Sequence, residues 1–223
     1  MDTVIILGAG HFGIRAAKLL TRAHGPPVWI VDKDQDSLLK TEGLPLKTIL
    51  SDGISFLSNY FHWLSPANTI VPAIPVHVAF EWLKVQLQPD FLTRLIQVPG
   101  KLKSFLPHTW LGADGSLLTS YADFRCPDDC PEPANYCAKT KKARPAPLYR
   151  LLGQQDIPGY ELHVIRSRQL SPGVGGYRVE DLSQLLFRVK KHGVGRWIVA
   201  TACRCHGIMT CLEIAKRRTA GEA

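Results

Sequence analysis

The run Val4-Ile5-Ile6-Leu7-Gly8-Ala9-Gly10-His11-Phe12-Gly13 constrains this chain more than any other segment. Thr3 to Leu7 is a compact β-branched and apolar stretch, the pattern of a parallel strand buried on both faces. It runs directly into G-x-G-x-x-G. A helical stretch follows, with Ile14, Ala17, Leu19 and Leu20 available for one apolar face. Gly25-Pro26-Pro27 ends that helix, and Val28 to Val31 forms the next strand, which closes on Asp32. The order of strand, glycine loop, helix, strand and acid is that of a nucleotide-binding βαβ unit.

Each part of the pattern has a physical reason. Gly8 permits a tight turn, Gly10 lets the backbone approach a pyrophosphate, and Gly13 lets the helix lie close to the strand. The helix N-terminus, with His11 and Phe12 in its first turn, offers unsatisfied N–H groups and a positive dipole end to phosphates. Asp32 follows Gly13 by 19 positions and is placed to accept hydrogen bonds from a ribose diol. A carboxylate there repels a 2′-phosphate, so NAD is expected over NADP, with the neighbouring cation Lys33 acting in the opposite sense.

The same residues resemble a known family. Val4 to Gly13, followed by Ile30-Val31-Asp32-Lys33-Asp34, is similar to the NAD-binding domain of potassium-channel and potassium-transporter regulators, the RCK or TrkA-N type. A third strand, Thr48 to Leu50, leads into Ser51-Asp52-Gly53, similar to that family's strand ending in Gly-Asp, with Ser51 in place of the usual Gly. The resemblance implies that Asp52 lies beside the adenosine half of the ligand. Asn68 to Val71 fits the fourth strand. After Val71 the likeness stops, so it covers the N-terminal third and implies dinucleotide binding rather than a role in potassium transport.

Beyond that third, Val76 to Leu87 reads as a helix with Val78, Trp82 and Val85 on its apolar face. Arg94 to Val98 reads as a strand, and Trp110 to Ser120 as a hairpin around Ala113-Asp114-Gly115. Leu162 to Ile165, the glycine-rich loop 171–176, a helix over 179–191 and a strand over Arg196 to Ala200 form a second βαβ pattern, expected to add parallel strands to the same sheet. The expected fold is therefore α/β, a Rossmann-like, doubly wound and mainly parallel sheet with a cysteine-bearing insertion. Residues 1–98 form the dinucleotide-binding unit. Residues 99–223 supply the cysteine segment and a βαβ unit completing the sheet.

A chain of 223 residues buries a core without help from disulfides, so its 6 cysteines need another reason. They fall into two groups, Cys126, Cys130 and Cys137, then Cys203, Cys205 and Cys211, with His206 among the second. Thiolates are strong ligands for Zn²⁺ and iron–sulfur clusters. The spacing of the first group is neither a zinc ribbon nor a ferredoxin run, and the prolines after Cys126 and Cys130 lean towards an iron–sulfur cluster. Cys126, Cys130, Cys137, Cys203 and Cys205 are the candidate ligands, with zinc, a thiol redox pair or unligated cysteines as alternatives. Cys211, beside Leu212 and Ile214, is expected to be a buried small hydrophobe on a helix.

The most apolar stretch, Thr69 to Phe80, is short and interrupted by Pro72 and Pro75, and no basic signal-like segment opens the chain. A cytoplasmic protein without membrane insertion, its thiols reduced, is expected. The formal net charge of +8 gathers partly in Lys139, Lys141, Lys142 and Arg144 and in the tail Lys216, Arg217 and Arg218. Both runs read as solvated segments. An acidic or redox protein partner suits that surplus, nucleic acid less so, and a homodimer is expected by analogy with Rossmann sensors. Two functions stand side by side: an NAD-dependent redox protein with a cysteine-ligated centre near the nicotinamide, or a non-enzymatic NAD sensor with a structural zinc site.

Overall fold

A computed structural model describes residues 2–22 and 25–217; Arg218 of the basic tail lies outside them. The chain opens with β1 (Val4–Leu7), α1 (His11–Leu20), β2 (Val28–Asp32), α2 (Gln35–Leu39), β3 (Lys47–Leu50), α3 (Gly53–Tyr60) and β4 (Thr69–Pro72). It continues through α4 (Val78–Leu87), β5 (Phe91–Ile96), α5 (Gly100–Lys103), β6 (His108–Leu111) and β7 (Leu117–Ser120). After an irregular stretch come α6 (Leu148–Gly153), β8 (Glu161–Arg166), β9 (Arg168–Ser171), β10 (Val174–Arg178), α7 (Val179–His192), β11 (Gly195–Ala202) and β12 (His206–Lys216).

The strands form two sheets. The first runs β3-β2-β1-β4-β10-β9, with β1 to β4 parallel and the β9–β10 hairpin added antiparallel to β4. The second runs β6-β7-β12-β11-β8, and β5 also pairs with β12. Both share one helical layer. Alternation along the strands explains this: Ile5 and Leu7 of β1 join Trp197 and Val199 of β11 and Leu212 and Ile214 of β12 in one core, filled by α3, α4 and α7. Val4 and Ile6 face α1 on the far side of the first sheet. Ile198, Ala200, Met209 and Cys211 face α5 and α6 on the far side of the second. Each fully buried Leu or Ile here is worth about 1.5–3 kcal/mol relative to exposure.

Four expectations are corrected. The C-terminal βαβ does not complete the first sheet: β8 and β11 are parallel to each other but lie in the second sheet, and β5 pairs there too. A parallel pair needs only a crossover, and the sequence does not say onto which sheet α7 folds back. The loop 171–176 is mostly a hairpin. Its glycines serve close packing: a Cβ on Gly176 would lie 2.8 Å from the Ile70 carbonyl oxygen, and one on Gly173 would strike the Asp128 backbone. Cys211 is buried as expected, but on a strand, opposite Ile198 and Ile96. Val85 is exposed, whereas Val78 and Trp82 are buried.

Candidate functional site

At the carboxyl end of β1, Gly8 turns with φ +107, and a Cβ there would lie 2.7 Å from the Ala73 carbonyl oxygen. A Cβ on Gly13 would lie 1.8 Å from the Gly8 carbonyl oxygen, so α1 rests directly on the loop. Gly10 is different: a Cβ there would meet nothing within 4 Å. It N-caps α1 without a side-chain cap, and the first turn carries no acid. The first-turn N–H groups have no intrahelical acceptor and face an open approach, which suits an anion.

Asp32 ends β2 and holds the loop. Its Oδ2 accepts the Ala9 N–H at 2.6 Å and its Oδ1 the Asp34 N–H at 2.9 Å. Lys33 beside it is exposed. Asp52 caps α3, accepting the Ser55 N–H at 2.9 Å, and stays exposed at the end of β3. Phe12 projects from the loop and is 53% exposed. His11 Nε2 lies 2.8 Å from Asp128 Oδ2. That hydrogen bond holds the Asp128 carboxyl below its ordinary range.

The two cysteine groups meet. Cys126, Cys130, Cys203, Cys205 and His206 line a cavity of about 300 Å³ that Phe12 also lines. The irregular segment carrying the first group is pinned to the β9–β10 hairpin. The Cys130 carbonyl oxygen accepts the Gly173 N–H at 2.9 Å and the Gln169 side-chain amide at 2.7 Å. It is pinned to the second group by Glu132, whose Oε1 accepts the Arg204 N–H at 2.7 Å. The cavity runs beside a groove of about 410 Å³ that shares Phe12, Val174 and Gly175 with Ala73 and Ile74 at the end of β4.

The thiols surround this space without converging on one point. Cys126 Sγ approaches His206 Nε2 at 3.4 Å, and Cys203 Sγ approaches His206 Nδ1 at 3.8 Å, on the other side of the ring. The Arg144 guanidinium donates to the Cys205 sulfur. Among the described residues no group of three or more His, Cys, Asp or Glu side chains is arranged to hold a metal ion. Burial pushes the Cys203 thiol up to about 12, with the Glu132 charge adding to it, and the Cys205 thiol up to about 11. Cys137 lies apart from this cavity, its thiol lowered by a hydrogen bond with Thr140.

Arg144 is what the sequence reading missed. It belongs to the basic run 139–144, yet its guanidinium turns inward and donates to the Cys205 sulfur and to the carbonyls of Pro133 and Tyr136. No local signal separates it from Lys141 and Lys142, which are exposed. The arginines beside the glycine-rich hairpin are also engaged. Arg168 pairs with Asp181 at 2.7 Å, and Arg166 lies over the Tyr149 ring.

A family model described as the C-terminal domain of an uncharacterized protein matches residues 79–215, more than half of the chain. The chain belongs to that family. The TrkA-N domain model matches residues 4–55, so the N-terminal part is a TrkA-N-type domain, with the NAD(H) binding that such a domain implies. The C-terminal family region takes in α4, the cysteine segment and the second sheet. An uncharacterized protein of Archaeoglobus fulgidus is 28% identical over 225 aligned positions, covering 95% of this chain and 99% of that protein. That alignment spans both regions of this chain. No helix among the described residues is long and apolar enough to cross a membrane.

Proposed function

We propose that the chain is an NAD(H)-binding redox protein whose cysteine-lined cavity holds the working centre beside the nicotinamide. One observation carries this reading: Phe12 of the glycine loop lines the same cavity as Cys126, Cys130, Cys203 and Cys205. Ligands of open parallel sheets bind beyond the carboxyl ends of the strands at the point where the strand order reverses, here between β1 and β4. The adenosine then lies on the β2 and β3 side, where Asp32 takes the ribose hydroxyls and favours NAD over NADP, with Asp52 near the adenosine. The pyrophosphate lies over Gly10 and the start of α1, and the nicotinamide points past Ala73 towards the cysteines.

In this reading residues 1–98, less β5, bind the nucleotide, and residues 99–223 carry the centre. Four thiols from both groups, with Cys137 as a further candidate, form a soft donor set suited to an iron–sulfur cluster or zinc. Holding a metal requires His206 and Arg144 to give way so that the sulfurs close on one point. Such a group would supply electron transfer or Lewis acidity. The protein's own contribution is to exclude water with Phe12 and the β9–β10 hairpin and to fix the cysteine segment through Cys130 and Glu132. A reducing, cytosolic setting and a redox or acidic protein partner belong to the same proposal, as does a homodimer.

The many backbone ties of the cysteine segment also favour a second reading, an NAD sensor with structural zinc. Anaerobic purification, a visible spectrum, metal analysis and NADH titration by fluorescence on one sample separate the two. Brown colour with iron, acid-labile sulfide and NADH-dependent bleaching supports the redox protein. Stoichiometric zinc, no colour and tight NADH binding supports the sensor. Neither metal nor colour after anaerobic reconstitution would sink the metal centre in both.

A further inference from the structure

The first helix carries its charge on one side. Arg15, Lys18 and Arg22 recur at the three- and four-residue steps that set side chains along one flank of α1 and the turn after it. They line an open groove of about 440 Å³, whose apolar part is Ile14 and Leu19. The helix contains no acid to offset them. Lys18 and Arg22 gain from the carboxyl end of the helix dipole, but Arg15 lies too far back to do so.

Among the described residues, none of the three meets a carboxylate. Arg15 donates to the Pro172 carbonyl oxygen at 3.1 Å, which leaves its charge in place. The one acid on the groove, Asp128, is already paired with His11. Elsewhere Arg94, Arg168, Arg188, Lys190 and Arg196 each meet an acid, so the row on α1 is a local feature rather than a sample of the overall surplus.

The spread of the charge selects the ligand. Arg15 and Arg22 are seven positions apart, about 10 Å along the helix axis. A single phosphate or carboxylate cannot meet both. Carboxylates two residues apart on a strand, about 7 Å, or one turn apart on a helix, about 5.4 Å, can. The groove holds no Phe, Tyr or Trp on which a nucleic-acid base could stack. Aliphatic side chains rimmed by charge are the anatomy of a protein–protein contact. A second copy of this chain, with its net charge of +8, is repelled rather than drawn.

We propose that this flank of α1 docks an acidic protein through a row of its Asp and Glu side chains. That the docked protein is a redox partner rests on the redox reading above; the docking itself does not. The His11–Asp128 pair ties the groove to the loop between Cys126 and Cys130, so the partner sits against the cysteine segment.

The test uses the full chain and a fluorescein-labelled oligoglutamate read by anisotropy. Oligoadenylate of equal charge and vesicles of phosphatidylcholine and phosphatidylglycerol in equal parts are run beside it. Oligoglutamate is expected to bind saturably, more tightly than either, and severalfold more weakly as salt rises to physiological strength. Arg15→Gln, Lys18→Gln and Arg22→Gln together should weaken it about tenfold, while Lys141→Gln with Lys142→Gln, in the other basic run, leaves it unchanged. Lys18→Gln with Arg22→Gln keeps the test valid if Arg15 matters to the fold. Asp128→Asn, which removes the groove's carboxylate, should tighten binding. Equal loss in the Lys141 and Lys142 variant, unchanged binding in the α1 variants, or tighter binding of oligoadenylate or vesicles would overturn the proposal. NADH titration of the same samples reads the nucleotide claim separately, because Arg15, Lys18 and Arg22 line neither the cysteine cavity nor the groove at the end of β4.

Discussion

His11 Nε2 lies 2.8 Å from Asp128 Oδ2, joining the glycine loop to the cysteine segment across 117 positions of sequence. Both side chains are partly solvated, and such a pair contributes only about 0–1 kcal/mol. His11→Ala is therefore expected to lower the melting temperature by no more than about 2–4 °C. Its effect is local. Amide hydrogen exchange across residues 126–130 should rise several-fold while β1 and β4 stay protected. Unchanged exchange there would mean that the hairpin contacts alone hold the segment.

The glycines of the loop separate binding from folding. Gly10→Ala adds a methyl to open space on a backbone, φ −75, that alanine adopts readily. Stability should change by less than about 1 kcal/mol, while NADH affinity falls at least tenfold, because the methyl stands where a pyrophosphate must approach. Gly13→Ala drives a Cβ onto the Gly8 carbonyl and should cost about 3 kcal/mol or more. Urea unfolding and NADH fluorescence titration of the two variants check the contrast.

Two buried histidines make the fold acid-sensitive. Burial holds His77 down to about 3, between the hydroxyls of Thr201 and Thr210 at 2.9 Å each, and holds His163 down to about 4. The unfolded chain protonates both near the ordinary 6.5, and the folded chain does not. Their contribution is thus fully present above about pH 6.5 and is lost as pH falls towards those lowered values. The expected slope is about 1.4 kcal/mol per pH unit for each histidine. Urea midpoints at about pH 7.5 and 5.5 test it, and His77→Gln should roughly halve the slope.

Cys211 and Cys203 should part company. Cys211 is fully buried on β12 among Ile198 and Ile96, and burial pushes its thiol up to about 12. Cys211→Ala is expected to cost about 1–2 kcal/mol in urea unfolding and to leave metal content unchanged. Cys203→Ala should lower metal content with a smaller loss of stability. Equal metal loss in both would remove Cys203 from the proposed ligand set.

The nucleotide unit was legible because its signals are local. Gly8, Gly10, Gly13 and Asp32 lie within one βαβ unit, from β1 to the end of β2, so their spacing can be read along a single short stretch of chain. The helices α1, α4 and α7 were readable from apolar periodicity, and the hairpin around Asp114 from its turn residues. Cys211 was misread as helical because a short apolar run fits either period, and only pairing with β11, β5 and β7 makes His206–Lys216 a strand.

Sequence alone thus determined the TrkA-N-type unit at the start of the chain and the burial of Cys211. Tertiary structure decided that β8 and β11 build a second sheet, that Arg144 turns inward, and that Cys126 and Cys130 meet Cys203 and Cys205 beside Phe12. The physical reason is range. Turn geometry, dipoles and periodicity act between near neighbours, whereas sheet choice and the meeting of distant thiols depend on which surfaces are left to bury once the local elements have formed.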